Sequence, residues 1–336
     1  MIIGPGWPLP NFLILGAQKS GTTWLAYVLR CHPGVFVPRE KELHYFTRHF
    51  ERGAQWYLSH FAKARGAVSI GEATPNYLAA NYPEYRQTPR RIRAMLPEAR
   101  FVVILREPVS RALSAYMHHV MRGRFSQPGS VESHFEEMLV SPVSKAGVLE
   151  FGLYAAQLDA YFELFDRRQF LILSYERDLC GNPARMAARV LQFIGAPEGM
   201  PGTEWSGRPN AGAKSRLAVK VGATLSGVLR HEETRVRWGS VIQRGCRFLE
   251  RVVHAPPLAL PTETKSRIDA FYRQDRIRLR QLLGADAPPW ARDDETGLPT
   301  AHVSEQTADG LVQPAGDKNA TEPSRRPAPV SCPKTR

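Results

Sequence analysis

The segment Gly16-Ala17-Gln18-Lys19-Ser20-Gly21-Thr22-Thr23 gathers two glycines, one cation and three hydroxyls into eight consecutive residues. Backbone N–H groups of such a loop, with the start of a following helix, surround an anion of phosphate size. Lys19 precedes Gly21 by two residues. From there it would reach the outer side of the anion, toward a transferring group, while Ser20, Thr22 and Thr23 supply hydroxyl and backbone donors. The plain alternative is a connecting turn with Lys19 as a solvated surface lysine. A second group is Arg106, at the end of the apolar run Phe101-Val102-Val103-Ile104-Leu105, with Ser114 about two turns into the next helix. Both could approach one anion, and the arginine fork takes two phosphate oxygens at once. Arg106 as a cap on the sheet edge and Ser114 as an ordinary helix serine is the other reading. The third group is Glu42-Leu43-His44-Tyr45-Phe46. A carboxylate near a phosphate loop repels the anion, so stability gives no reason for it, whereas a general base must accept a proton. His44 could share that task or orient Glu42. An exposed acid beside a core aromatic pair accounts for the same residues structurally.

The elements that must carry these groups can be read from periodicity. Asn11 to Gly16 is a short apolar run ending at glycine, and Ser20 onward has helical spacing until His32-Pro33-Gly34. Further strands are expected at Val68 to Gly71, Phe101 to Leu105 and Gln169 to Ser174. Helices are expected over RRIRAML, from Pro108 onward, over Gly152 to Phe165, after Asn182-Pro183 as far as Gly195, and over Pro261 to Leu283. Alternating strands and helices predict a parallel sheet covered on both faces, with ligand groups at the carboxyl ends of the strands. One domain is expected over residues 1–292. A basic amphipathic helical insertion occupies about 217–257, and a tail at 293–336, rich in Pro, Thr, Ser and charge, is expected to be disordered.

Hydrophobic residues at 43% and charged residues at 23% are those of a folded globular chain. The net charge of +13 implies affinity for anions without choosing among nucleic acid, acidic membranes, acidic glycans and nucleotide phosphates. Four cysteines, Cys31, Cys180, Cys246 and Cys332, form no Cys-x-x-Cys pair and no zinc pattern. Reduced thiols are the simpler expectation, with one long-range disulfide left open. No apolar run is long enough to span a bilayer, and the N-terminus runs almost directly into a strand, so the expected location is cytoplasmic.

Taken in order, GAQKSGTTWL, HPGVFVPREKELHYF, GEATPNYL, LREPVSRALSAY, GLYAAQL and AFYRQDRIRLRQLLGADAPPW resemble the sulfotransferases that use phosphoadenosine phosphosulfate (PAPS). The resemblance is nearest to the branch containing heparan sulfate sulfotransferases and many bacterial relatives, and it covers most of Asn11 to Trp290. It implies a P-loop-like three-layer α/β fold with a central parallel sheet. It also implies that Gln18, Lys19, Ser20, Gly21, Thr22 and Thr23 hold the 5′-phosphate of the donor, and Arg106 with Ser114 its 3′-phosphate. Glu42 matches the family's catalytic base, with His44 beside it, and Lys19 the lysine that stabilises charge on the departing phosphate. The product would be adenosine 3′,5′-bisphosphate (PAP), with no metal needed. Asn210 to Arg216 matches a basic loop over the nucleotide, making Lys214, Ser215 and Arg216 binding residues. Tyr154 sits where the family closes over the nucleotide, although a buried helix tyrosine is an equal account. The chain departs from the glycan-acting members at Ala73, where they carry an active-site lysine.

The resemblance leaves a small-molecule, glycan or lipid acceptor as the partner and no nucleic acid, with the oligomeric state open. Two other readings compete. A P-loop kinase or NTPase is disfavoured because the Walker pattern needs lysine directly after the second glycine, where Thr22 stands, and because no clear magnesium-holding aspartate follows. A non-catalytic basic module would bind membranes peripherally through 217–253, where helices packed on the core and shaping the acceptor cleft are the competing account.

Overall fold

A computed structural model of the chain describes residues 6–40, 42–120, 122, 130–141, 147–197 and 260–292. The expected insertion and tail, and with them Lys214, Ser215 and Arg216, lie outside the described residues. The described elements form the expected α/β arrangement: a five-stranded, all-parallel sheet in the order β2-β3-β1-β4-β5. Its strands are β1 (Phe12–Gly16), β2 (Val35–Phe36), β3 (Ser69–Ala73), β4 (Arg100–Leu105) and β5 (Phe170–Ser174).

Residues of β1 alternate between two cores, as the period of a strand requires. Leu13 and Leu15 join Phe101, Val103 and Leu105 on one face, while Phe12 and Ile14 join Val102 and Ile104 on the other. Helices α2 (Gly53–Ser59), α6 (Tyr154–Phe162) and α8 (Thr262–Leu283) cover the first face through Tyr57, Leu58, Leu158, Leu279 and Leu283. Helices α1 (Thr22–Arg30) and α7 (Pro183–Ile194) cover the second through Leu25, Leu29, Val190 and Ile194. Burial on both faces is why β1, β4 and β5 read as unbroken apolar runs.

From β1 the chain passes to β2 and β3 on one side, whereas β4 lies on the other side of β1 and leads outward to β5. Connections therefore diverge between β1 and β4, and a crevice opens at the carboxyl ends of those two strands. The register between them shifts at Ile14 and Gly16, where β1 gives way to the loop.

Several boundaries differ from the sequence expectation for identifiable reasons. Helix α1 begins at Thr22 rather than Ser20 because Gly21, with φ 88°, takes a left-handed conformation at its N-cap. Strand β3 runs to Ala73, two residues beyond the expected end, carrying Glu72 into the core. Helix α6 starts at Tyr154, after a short 3₁₀ turn at Glu150–Gly152. Strand β2 and helices α2 and α5 (Val131–Val140) were not signalled, nor was the short helix at the end of the described chain. The remaining helices α3 (Thr88–Met95) and α4 (Pro108–Val120) follow the expected segments, and the four-residue α9 (Pro289–Arg292) ends the described chain.

Candidate active site

The loop after β1 is held in place on all sides. Ala17 N–H donates to Ile104 of β4 at 2.8 Å, and Leu78 N–H donates to Leu15 O at 2.9 Å. A Cβ on Gly16 would come within 2.9 Å of Pro75 O, so only glycine lets the loop approach that turn. Lys19 follows with φ 69°. At the next bend, a Cβ on Gly21 would press into Leu179, which belongs to a π-helical turn at Tyr175–Cys180. The first N–H groups of α1 emerge at this point and have no partner within their own helix.

Arg106 closes the other side of the crevice. Its Nη1 donates to Lys19 O at 3.0 Å, and its guanidinium carbon stands 4.6 Å from the centre of the Tyr175 ring. The two anion-binding groups expected from sequence are thus joined by a direct hydrogen bond. Gln18 Oε1, Ser20 Oγ and Arg106 Nε are buried and have no hydrogen-bond partner among the described residues. Buried polar groups left in this state are costly unless something else satisfies them. Two of them, a hydroxyl and a guanidinium N–H, are donors suited to a phosphate.

Helix α4 is fixed at its start by Glu107, whose carboxylate accepts from Val109 N–H at 2.8 Å and Ser110 N–H at 2.7 Å. It carries Ser114, which is partly buried, and one turn later His118. Burial, then the charges of Lys19, Arg122 and His119, push the His118 imidazole down to about 2, with Glu42 opposing. His118 thus lies in the electrostatic field of both Lys19 and Glu42 and is neutral at physiological pH. Helical spacing from Ser114 is the signal that would have found it.

Glu42 and His44 come from a strained turn, with φ 62° and 53° respectively. With Lys19, they are the three non-glycine residues of positive φ among the described residues. Such conformations cost of the order of 1–3 kcal/mol each and concentrate at functional sites. His44 Nε2 lies 3.5 Å from Glu42 Oε2, and both side chains keep partial solvent access.

Tyr154 meets the backbone of Arg106. It is wholly buried, its hydroxyl donates to Arg106 O at 2.8 Å, and burial pushes that hydroxyl up, beyond the range of any working pH. Its observed contact is support for the Arg106 backbone. Trp290 packs near Tyr154 and donates to Glu176, which also accepts from Glu107 N–H, so the end of the described chain braces the same corner. Among the described residues, no group of three or more His, Cys, Asp or Glu side chains is placed to hold a metal ion. Nor is any described helix long and apolar enough to cross a membrane.

Fold and crevice together define an α/β domain of P-loop-like fold with a crevice at the strand switch point. Residues 9–204 match the Sulfotransferase domain family, and the chain belongs to that family. It is similar to human heparan sulfate glucosamine 3-O-sulfotransferase 6, with 36% identity over 203 residues, covering 57% of this chain and 56% of that protein. The membrane-associated sulfotransferase kil1 of Dictyostelium discoideum is 36% identical over 134 residues, covering 39% of this chain and 27% of that one. The chain therefore spans little more than half of the human relative and about a quarter of the amoebal one. Among solved structures, a sulfotransferase from Alicyclobacillus acidocaldarius superposes with a TM-score of 0.51 at 25% identity, covering 74% of this chain and 97% of that one.

Proposed function

We propose that this protein transfers the sulfuryl group of PAPS to a hydroxyl of a carbohydrate or small-molecule acceptor. The observation that carries the proposal is the hydrogen bond from Arg106 to the Lys19 carbonyl, which ties the two groups expected to bind anions to one another at the carboxyl ends of β1 and β4. Parallel pairing of β1 with β4 brings both groups to one edge of the sheet, where a single ligand bearing two phosphates would meet both. Family membership supports sulfur as the transferred centre.

In this reading the N–H groups at the start of α1 and the Ser20 hydroxyl hold the 5′-phosphate, and Arg106 with Ser114 holds the 3′-phosphate. Glu42 accepts the proton as the acceptor oxygen attacks sulfur, and His44 keeps the carboxylate oriented. The new O–S bond forms as the bond from sulfur to the bridging oxygen breaks, and Lys19 stabilises the charge that develops on the departing bisphosphate. Because the donor is already activated, positioning and electrostatics supply the catalysis. His118, being neutral, adds no charge to that of Lys19 and Arg122.

The similarity to a heparan sulfate glucosamine 3-O-sulfotransferase favours a sugar hydroxyl. The buried Ala73, standing where glycan-acting members carry lysine, favours an acceptor less anionic than heparan sulfate. Incubation with sulfur-labelled PAPS and a panel of neutral oligosaccharides, N-sulfated heparan oligosaccharides and simple phenols tests the proposal. Label should appear on a hydroxyl of at least one panel member. Stable PAPS binding with no transfer to any of them, water included, would count against it.

A further inference from the structure

Glu72 is a carboxylate in the middle of β3, 2% exposed, facing the core rather than the crevice. Nothing in the proposed chemistry uses it, and an unpaired buried carboxylate is expensive. Its two oxygens have separate duties. Oε2 accepts from the Thr74 hydroxyl at 2.7 Å, and Oε1 accepts from the Tyr77 hydroxyl at 2.8 Å. Each hydroxyl has a single proton to give, and both protons are committed to Glu72. Their lone pairs therefore face outward, and each receives a backbone amide of the base segment: His44 N–H donates to Thr74 Oγ1 at 3.3 Å, and Phe46 N–H to Tyr77 OH at 3.4 Å.

One buried carboxylate thus holds, through two hydroxyls, alternate amides of the turn that displays Glu42 and His44 in left-handed conformations. From the other side, His44 O accepts from the N–H groups of Thr47, Arg48 and His49. Leu43 between them is buried in the core. Burial pushes the Glu72 carboxyl up, while the Thr74, Tyr77 and Tyr57 hydroxyls, and then the His44 charge, act the other way. Acceptance at both oxygens is the pattern of the ionised form.

We infer that Glu72, acting through the Thr74 and Tyr77 hydroxyls, is a positioning residue that holds the Glu42–His44 turn in its catalytic conformation. The inference rests on the reading of Glu42 as the base. It explains why a costly carboxylate occupies this place: only an acceptor at both oxygens fixes both hydroxyl rotors in one sense. A glutamine would donate to one hydroxyl and strand that hydroxyl's proton.

The test compares Thr74→Val, which removes the bridge, Thr74→Ser, which keeps it, and Glu72→Gln, each as the full chain. Hydrogen exchange of the peptide covering residues 42–46 is read first, with PAP binding by thermal shift as a check on the fold. Sulfuryl transfer is then measured with whichever panel acceptor the wild type sulfates. Thr74→Val and Glu72→Gln are expected to speed exchange of this peptide and lower kcat about tenfold, with KM for PAPS unchanged, since a small displacement of a reacting group has effects of this size. Thr74→Ser should recover most of the lost kcat. Unchanged exchange in Thr74→Val, or faster exchange with unchanged kcat, overturns the inference while the proposed function stands. If the wild type transfers nothing, the proposed function falls, and exchange alone decides whether Glu72 and Thr74 hold the turn. Should Thr74→Val fail to bind PAP, Glu72→Gln against the wild type gives the same comparison.

Discussion

Replacing Arg106 by lysine should weaken PAP binding far more than binding of 5′-AMP. The guanidinium stands 4.6 Å from the centre of the Tyr175 ring and spends Nη1 on the Lys19 carbonyl, leaving the buried Nε with no partner among the described residues. A lysine keeps the charge but loses the planar fork, so it cannot hold the loop carbonyl and a phosphate in the same geometry. Losing one charge-assisted hydrogen bond costs about 1.5–3 kcal/mol, which is roughly a 10- to 150-fold rise in Kd for PAP. 5′-AMP lacks the 3′-phosphate. Its affinity should change only as far as the loop carbonyl loses support, by about 1 kcal/mol or less for one ordinary hydrogen bond. Isothermal titration of both ligands against wild type and Arg106→Lys gives the ratio of affinities directly. A ratio that stays the same, with both ligands weakened equally, would refute the assignment of Arg106 to the 3′-phosphate and leave it as a brace for the loop.

Three further outcomes follow from the same geometry. Lys19→Ala should lower kcat by roughly a hundredfold or more, by loss of a preorganised cation at a developing anion; wild-type turnover in a folded variant would contradict this. Gly21→Ala should cost about 1–2 kcal/mol for its φ of 88° and push on Leu179, so denaturant midpoints should fall and PAP should no longer shift the melting temperature. Asp275 on α8 accepts from Ala155 and Ala156 N–H at the start of α6, yet burial raises its carboxyl from 3.8 to about 6. The folded protein therefore holds this proton more tightly than the unfolded chain does. Its stabilisation is complete below pH of about 4 and is lost as pH rises through about 6, to the extent of about 3 kcal/mol at most. Urea melts across this range should show that loss in the wild type but not in Asp275→Asn.

The parts legible in the sequence are those whose physics is local. FLILG, FVVIL and FLILS are apolar throughout because sheet burial on both faces demands it, and Asn182 caps α7 through Arg185 N–H as its position suggests. Strand β2 has two residues, too few for any period, and β3 contains Gly71 and Glu72, which break the apolar pattern. The glycines, lysine and hydroxyls of the loop after β1 stand together in sequence, so they could be picked out there as one group. Glu42 and His44 were likewise visible as a pair. Glu72, His118 and Tyr175 were not, because each acts through a meeting in space. Glu72 meets the base segment through two hydroxyls, His118 feels the charges of Lys19 and Glu42, and Tyr175 lies against Arg106 from the end of the neighbouring strand β5. A charged residue inside a strand otherwise buried at every position is a signal that could have drawn attention to Glu72 earlier.

A crystal structure with PAP bound tests the central claim most directly. The account predicts the 5′-phosphate on the N–H groups at the start of α1 and the 3′-phosphate within hydrogen-bonding distance of Arg106 and Ser114. Lys19 Nζ should lie on the side of the 5′-phosphate that faces Glu42. A nucleotide lying elsewhere, or one whose 3′-phosphate points away from Arg106 with Glu42 remote from the 5′ end, would contradict it.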